Sequence, residues 1–414
     1  MLTLRPLPIL ERWDCCGCGK CCRGVIVALN AEDMKKLREQ HWEDDPEMKG
    51  INIMTRMDWP AKQYRLAHRK DGRCVFQSDD MLCRIHKKFG FDAKPHICQL
   101  APLQMVPRDT FVYVTLRRYC PAAVADCGRT VEEQLPEYLA TVERNHAAPE
   151  SAAPPLLTRR VRREWPDLAV VSDAIDRLML DERYPLVRRL AHGVEFCDLL
   201  DRCRFRKLDR AKLLELVSLL ETSCVETAGE WFQERRRPSD IALKLFRQTL
   251  MESLRLHPAF VPESSWAERW RLIRAAMAFS RGRGEVPLLR LPFPPATFES
   301  LEEPLGPLPD DVMTPLTHYF ERATVSFRYA AFKHRLWTVT EAFRALALSY
   351  PIAMWALRFA AGMKTPSGAD GIQVVMMLDR SENQAALNGV RHRFRIRALA
   401  NHRQLLPLLA WYGR

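Results

Sequence analysis

The sequence predicts an α+β protein, mainly α, with a small loop-rich cysteine domain over residues 1–145 and a mainly helical domain over residues 156–414. Three observations carry this reading. Ten of the thirteen cysteines fall before residue 128, among glycine-punctuated turns and short β-type runs. Beyond residue 156, apolar residues recur at three- and four-residue spacing, the period of helices with one buried face. Between the two, residues 147–155 (Ala-Ala-Pro-Glu-Ser-Ala-Ala-Pro-Pro) resist both helix and strand and mark a linker. At 414 residues the chain also exceeds the roughly 250–300 at which single cores stop growing.

Taken in order, residues 24–29 (Gly-Val-Ile-Val-Ala-Leu) read as a strand. Asn30 then caps a helix running to about Gln40, with Asp33 at the third helical position. Residues 110–118 form a second predicted strand, because Phe111, Val112, Tyr113, Val114 and Leu116 are aromatic, β-branched or otherwise apolar. A helix near 131–145 closes the cysteine region. Ile175, Leu178 and Met179, then Leu213, Leu216, Val217 and Leu220, define amphipathic helices. The run Arg281 to Gly284 reads as a helix terminus. Eight prolines in 285–315 leave room there for extended chain and turns. The most apolar stretch, 342–363, is interrupted by Arg344, Pro351 and Arg358, so it is expected to be a buried helix pair rather than a membrane span.

The net charge of +12 is spread along the chain, and only 14 of the 63 basic residues are lysine. A polyanion is steered by clustered charge, so this pattern argues against nucleic acid. Residues 1–13 lack the apolar core of a secretory signal. The expected location is the cytoplasm, with no membrane partner. In that reducing compartment, clustered cysteines ligate metal or do redox chemistry rather than form disulfides.

The first cysteine group is Cys15-Cys16-Gly17-Cys18-Gly19-Lys20-Cys21-Cys22-Arg23-Gly24. Two-residue spacing lets thiolates on a tight turn reach one ion at about 2.3 Å, and Gly17 and Gly19 permit the positive φ angles such a turn uses. A second group follows: Cys74, Cys83 with His86, His96 with Cys98, then Cys120. Cys15, Cys18, Cys21, Cys22, Cys74, Cys83, His86, Cys98 and Cys120 are the candidate metal ligands. They exceed the four thiolates that one zinc or one iron–sulfur cubane requires, so two sites, or one site with a redox pair, are both open. His96 is expected to be a solvated loop residue. Cys16, Cys127, Cys197, Cys203 and Cys224 lack a partner at ligand spacing and are read as packing residues. The carboxylate pairs Asp44-Asp45, Asp79-Asp80 and Asp310-Asp311 are read as solvated loop pairs. The nucleophile elbow, zincin and phosphate-loop motifs are absent.

Trp13, the Cys15-Cys18-Cys21-Cys22 spacing with Arg23-Gly24, the Cys83-Arg84-Ile85-His86 step, Ala93-Lys94-Pro95 before Cys98, and Cys120-Pro121 together resemble the YkgJ-like CxxCxxCC family. That family comprises zinc- or iron-chelating domains and includes flagellin lysine N-methylase. The resemblance covers roughly residues 13–128. It departs where the family commonly has Phe-Pro after the Cys98 equivalent, since Ala101-Pro102 stands here. It implies a bound zinc ion or iron–sulfur cluster. By its faint extension over 319–361, it also implies methyl transfer from S-adenosylmethionine to lysines of a protein such as flagellin. The chain carries no glycine-rich Rossmann turn and no C-x3-C-x2-C triad for that cofactor. A non-catalytic protein for metal storage, delivery or redox sensing, and an adaptor with a structural zinc, are the competing readings.

Overall fold

The computed structural model describes residues 3–23, 25–57, 63–144, 152–159, 161–205, 208–234, 236–255, 266–289, 293–333, 336–362, 364–382 and 384–414. Gly24, residues 147–151 of the expected linker, residues 290–292 of the proline-rich stretch, residue 145 and Met363 lie outside them.

The predicted strand at 110–118 is the centre of the first sheet. β1 (Thr3–Pro6) runs parallel to β6 (Phe111–Leu116), which pairs antiparallel with β5 (Leu103–Pro107). Thr3 lies opposite Phe111 and Leu103 opposite Leu116. Val112, Val114 and Leu116 alternate into the core at 0%, 2% and 1% exposure, which fixes this register. The second sheet has the order β2-β4-β3, from β2 (Ala28–Leu29), β3 (Met54–Arg56) and β4 (Tyr64–Leu66). Here the expected strand 24–29 shortens to two residues. The chain before it is occupied by the cysteine turn, where the Cys22 carbonyl accepts from Cys74 N at 2.9 Å and Arg23 bridges Arg73.

Helix α1 (Ala31–Glu39) begins as read. Asn30 accepts from Asp33 N at 2.7 Å, and the Asp33 carboxylate accepts from Asn30 N at 3.2 Å. Short helices α2 (Arg84–Phe89), α3 (His96–Leu100) and α4 (Pro121–Ala125) follow, and α5 (Val131–Arg144) completes this part.

The remainder opens on a hairpin, β7 (Leu156–Thr158) and β8 (Val161–Arg162), and is then helical. The sequence α6 (Trp165–Leu180), α7 (Leu186–Arg202), α8 (Arg210–Glu234), α9 (Asp240–Leu254) and α10 (Trp266–Arg281) packs around a shared core. α10 ends at Gly282, whose φ of 63° supplies the left-handed terminus expected there.

Two expectations are corrected. The proline-rich stretch holds helix α11 (Phe298–Leu301) and the start of α12 (Asp310–Val325). Pro309 precedes the first turn of α12, where its fixed φ is compatible with helix entry, and Asp310 and Asp311 sit in that turn beside the positive end of the helix. That pair is therefore helical rather than part of a loop.

After α13 (Arg328–Ala331), the expected helix pair is one continuous helix, α14 (Val339–Ala361), with Pro351 inside it. Twenty of its 23 residues are buried. An interior proline costs about 3 kcal/mol, whereas each large side chain buried contributes roughly 1.5–3 kcal/mol, so packing outweighs the lost bond. Arg344 is tolerated in this core because Asp198 and Asp201 accept from it, at 3.0 and 2.6 Å. No described helix is long and apolar enough to cross a membrane. The chain ends with α15 (Gly368–Glu382), α16 (Ala385–Asn388), α17 (Val390–Asn401) and α18 (Leu405–Tyr412).

The cysteine-rich part is packed on α12 and α15 through a buried polar junction. Arg322 donates to the Leu10 carbonyl at 2.7 Å and to Asp126 at 2.6 Å. Asp379, fully buried, accepts from Arg117, from Arg328 and from the backbone N–H of Tyr119.

Candidate metal centre

The first cysteine loop is shaped by its glycines. Gly17 and Gly19 have φ of 64° and 63°, and Lys20–Cys22 closes a single 3-10 turn whose Cys22 N–H donates to the Gly19 carbonyl at 3.1 Å. The fully buried Gln77 donates to the same carbonyl at 2.8 Å, so one side chain ties the loop to the second cysteine segment. A Cβ at Gly19 would run into Gln77 Nε2 and the Met81 carbonyl. Gly19→Ala is therefore expected to cost on the order of 2–3 kcal/mol, from left-handed strain together with overpacking. Denaturant titration alongside metal content checks this, and an unchanged midpoint with full metal content would refute it.

The second segment is brought to the loop by backbone pairing. Cys74 bonds to Cys22, His68 bridges Cys74 and Gln77 bridges Cys83. Cys83 precedes the first turn of α2, and Cys98 lies within α3. α3 is held in turn by Asp33, which accepts from His96 N at 3.0 Å and pairs with His96 Nδ1 at 2.5 Å. His96 is thus anchored to a buried carboxylate instead of being solvated. Burial disfavours the Asp33 charge, but the bonds and charge of His96 prevail and hold its pKa below the usual carboxylate value.

The thiols are sorted by the two small cores on which they rest. Cys22, Cys74, Cys83 and Cys98 share a cluster built on Val27, Leu37, Trp42, Phe76 and Ile85. Cys21 and Cys120 belong to the other, with Trp13, Tyr119 and Val131. Adjacent Cys21 and Cys22 therefore serve different cores. Trp13 Nε1 donates to Cys120 Sγ at 3.3 Å.

Burial pushes the Cys74 thiol up to about 12 and raises Cys98 well above its ordinary value, with neighbouring thiols adding to both. The hydrogen bond between Cys21 and Cys22 raises Cys22 and draws Cys21 down to about 6. Burial also raises Cys18 and Cys120. Cys21 lies within electrostatic reach of Cys74, Cys98 and Cys120, as Cys18 does of Cys120. So many thiols within reach of one another cannot all ionise alone, and a soft cation among them removes that penalty. The donor set therefore fits zinc or iron. Among the described residues no three His, Cys, Asp or Glu side chains converge to hold an ion, so the fit is one of donor type and neighbourhood.

The other candidates are placed as follows. Cys15 is exposed and near the Tyr138 phenol. Cys16, read as a packing residue, is exposed, and its thiol is hydrogen-bonded with that of Cys18. His86 sits on the exposed side of α2 with its ring 6.0 Å from that of Phe91, and no contact among the described residues joins it to a thiol. Cys127 is also exposed, contacting the Ala122 carbonyl, while Cys197 and Cys224 are buried in the helical core and Cys203 is packed against it. Gln77, Asp33 and Asp379, none of them legible from cysteine spacing, are among the side chains that hold the cysteine segments in place.

Residues 14–121 match the family CxxCxxCC, described as "Putative zinc- or iron-chelating domain". An uncharacterized protein of Methanocaldococcus jannaschii is 29% identical over 111 residues, which are 26% of this chain and 36% of that protein. The aligned segment thus spans little more than a third of that relative's length. No solved structure matches the chain. The family description names zinc or iron chelation, and neither likeness speaks of methyl transfer.

Proposed function

We propose that this protein binds zinc or iron through its CxxCxxCC domain, with Cys22, Cys74, Cys83 and Cys98 closing on the ion to form one four-thiolate centre. Cys18, Cys21 and Cys120 form a second thiol group beside it, with Cys15 at the rim. The observation that carries this reading is the backbone hydrogen bond from Cys74 N–H to the Cys22 carbonyl, which joins the two cysteine segments across 52 positions of sequence at 2.9 Å. The division of the thiols between two apolar clusters supports the grouping. A zinc bound there supplies a structural cross-link, and iron with sulfide supplies a one-electron couple as well.

Anaerobic purification followed by metal and acid-labile sulfide analysis tests the assignment. Serine at Cys22, Cys74, Cys83 or Cys98 is expected to deplete the metal, because a hard oxygen replaces soft sulfur, whereas Cys197→Ser leaves it. Full metal content in all four variants would overturn the reading. Sulfide equal to iron marks a cluster, and its absence with zinc present marks a structural ion. Methyl transfer from S-adenosylmethionine to protein lysines is a finer reading that rests on the family resemblance alone. It stands or falls separately from metal binding, on whether the loaded chain moves a labelled methyl group onto flagellin.

A further inference from the structure

A cavity of about 60 Å³ lies in the helical part, away from the thiols, between α9, α13, α14 and the α15–α17 turn, with β5 contributing Gln104. It has room for roughly four water-sized groups. Four polar side-chain atoms of its lining residues lack partners. Tyr329 Oη, His392 Nδ1, Arg328 Nε and Gln104 Oε1 have no hydrogen-bond partner among the described residues, although Tyr329, His392 and Arg328 are each more than nine-tenths buried. Buried polar atoms are ordinarily satisfied, and four orphans on the residues around one cavity fit a polar occupant to which their side chains could turn.

The charge balance identifies its sign. Among the described residues, the charged groups lining the cavity are Arg328, Lys333 and Glu382. Arg328 is paired with Asp379 at 3.2 Å and Glu382 at 3.4 Å, and Glu382 also accepts from the Tyr319 hydroxyl, so these groups answer one another. Lys333 feels the charge of Glu382 but makes no direct ion pair with it. Its ammonium donates to the neutral Asn388 Oδ1 at 2.8 Å and lies 5.2 Å from the Trp337 ring centroid, with no carboxylate at ion-pair distance among the described residues. A cation without a direct ion pair, a phenol and an imidazole on a small cavity are the donors that an oxyanion uses.

We infer that this cavity binds a small oxyanion bearing a hydroxyl, of the size of inorganic phosphate or a short hydroxycarboxylate, with Lys333 as its counter-cation. Tyr329 and His392 donate to its oxygens and Gln104 Oε1 accepts from its hydroxyl. Burial pushes the Lys333 amine below the ordinary lysine value against the charge of Glu382, and a bound anion would shift it back upward. The site is independent of the metal centre and survives failure of that assignment.

The test uses the full-length, metal-loaded chain. Inorganic phosphate and glycolate are titrated separately against it by calorimetry, at ionic strength fixed with chloride. Saturable binding of either is expected, and the tighter of the two names the ligand. Lys333→Met is expected to weaken it by about tenfold or more, the loss of one charged hydrogen bond, and Lys333→Arg to retain it. Should Lys333→Met fail to fold, protection of Lys333 from acetylation by the bound anion, read by mass spectrometry on the unaltered protein, locates the site. No saturable binding of either anion, binding that Lys333→Met leaves unchanged, or acetylation of Lys333 unaffected by a bound anion would overturn the inference.

Discussion

Stripping the metal with a chelator is expected to open the chain between the first cysteine loop and about residue 100, while the helical core stays folded. The described strands of the second sheet are two or three residues long, and the cluster beneath Cys22, Cys74, Cys83 and Cys98 is small beside the one that unites α6 to α18. Structural zinc contributes on the order of 10–16 kcal/mol of folding free energy in small domains, as much as the roughly 5–15 kcal/mol of a whole domain. The same argument sets a limit to the opening. Strand β6 and the residues after it are held from the other side by Asp379 and Arg322, so 111–126 is expected to remain protected. Limited proteolysis with mass spectrometry before and after chelation reads both parts. Persistent protection of 14–100 without metal would show that the apolar clusters suffice. Cleavage spread through α14 would show that the core depends on the ion.

Why part of this structure was legible, and part not, follows from the range of the interactions. The cap at Asn30 with Asp33, the alternation that builds β6 and the left-handed glycine after α10 are settled within a few residues, and each appears where its local chemistry places it. The two misread segments were also judged locally. Pro351 looks like a break until the burial on every side of α14 is known, and the prolines of 285–315 conceal that Pro309 is a helix entry. The cysteine set was visible from spacing. Its division between two clusters was not, because that depends on pairing between residues 22 and 74. Least visible were the charges. An excess of arginine read as charge spread along the chain in fact places Arg117, Arg322, Arg328 and Arg344 in buried or nearly buried ion pairs with carboxylates remote in sequence.

Asp379→Asn is expected to be among the most destabilising single changes in the chain. Asp379 is fully buried on α15 and accepts from Arg117 Nε at 2.9 Å, from Arg328 NH1 at 3.2 Å and from the Tyr119 backbone N–H at 3.1 Å. Asparagine preserves the shape but removes the charge, leaving two buried guanidiniums to share one carboxylate, Glu382, that the nearer of them already engages. Removing one partner of a buried pair costs about 3–5 kcal/mol, since the remaining charge cannot recover its hydration. The effect has a pH signature. Burial alone would raise the Asp379 pKa, but Arg117 and Arg328 outweigh it and hold the carboxyl below its ordinary value. A depressed carboxylate contributes stability that is fully present above its unfolded pKa, near ~3.9, and is lost as pH falls through the folded value. The gap between the unaltered protein and Asp379→Asn is therefore expected to be constant near neutrality and to close as pH drops below about 4. Because Tyr119 precedes Cys120, the variant is also expected to loosen the second thiol group while Cys22, Cys74, Cys83 and Cys98 keep their metal. Urea denaturation from pH 3 to 8 with parallel metal analysis reads all three effects. A loss under about 1 kcal/mol, within the range of exposed ion pairs, would mean that the junction is hydrated and that Asp379 does not brace the cysteine domain against the helices.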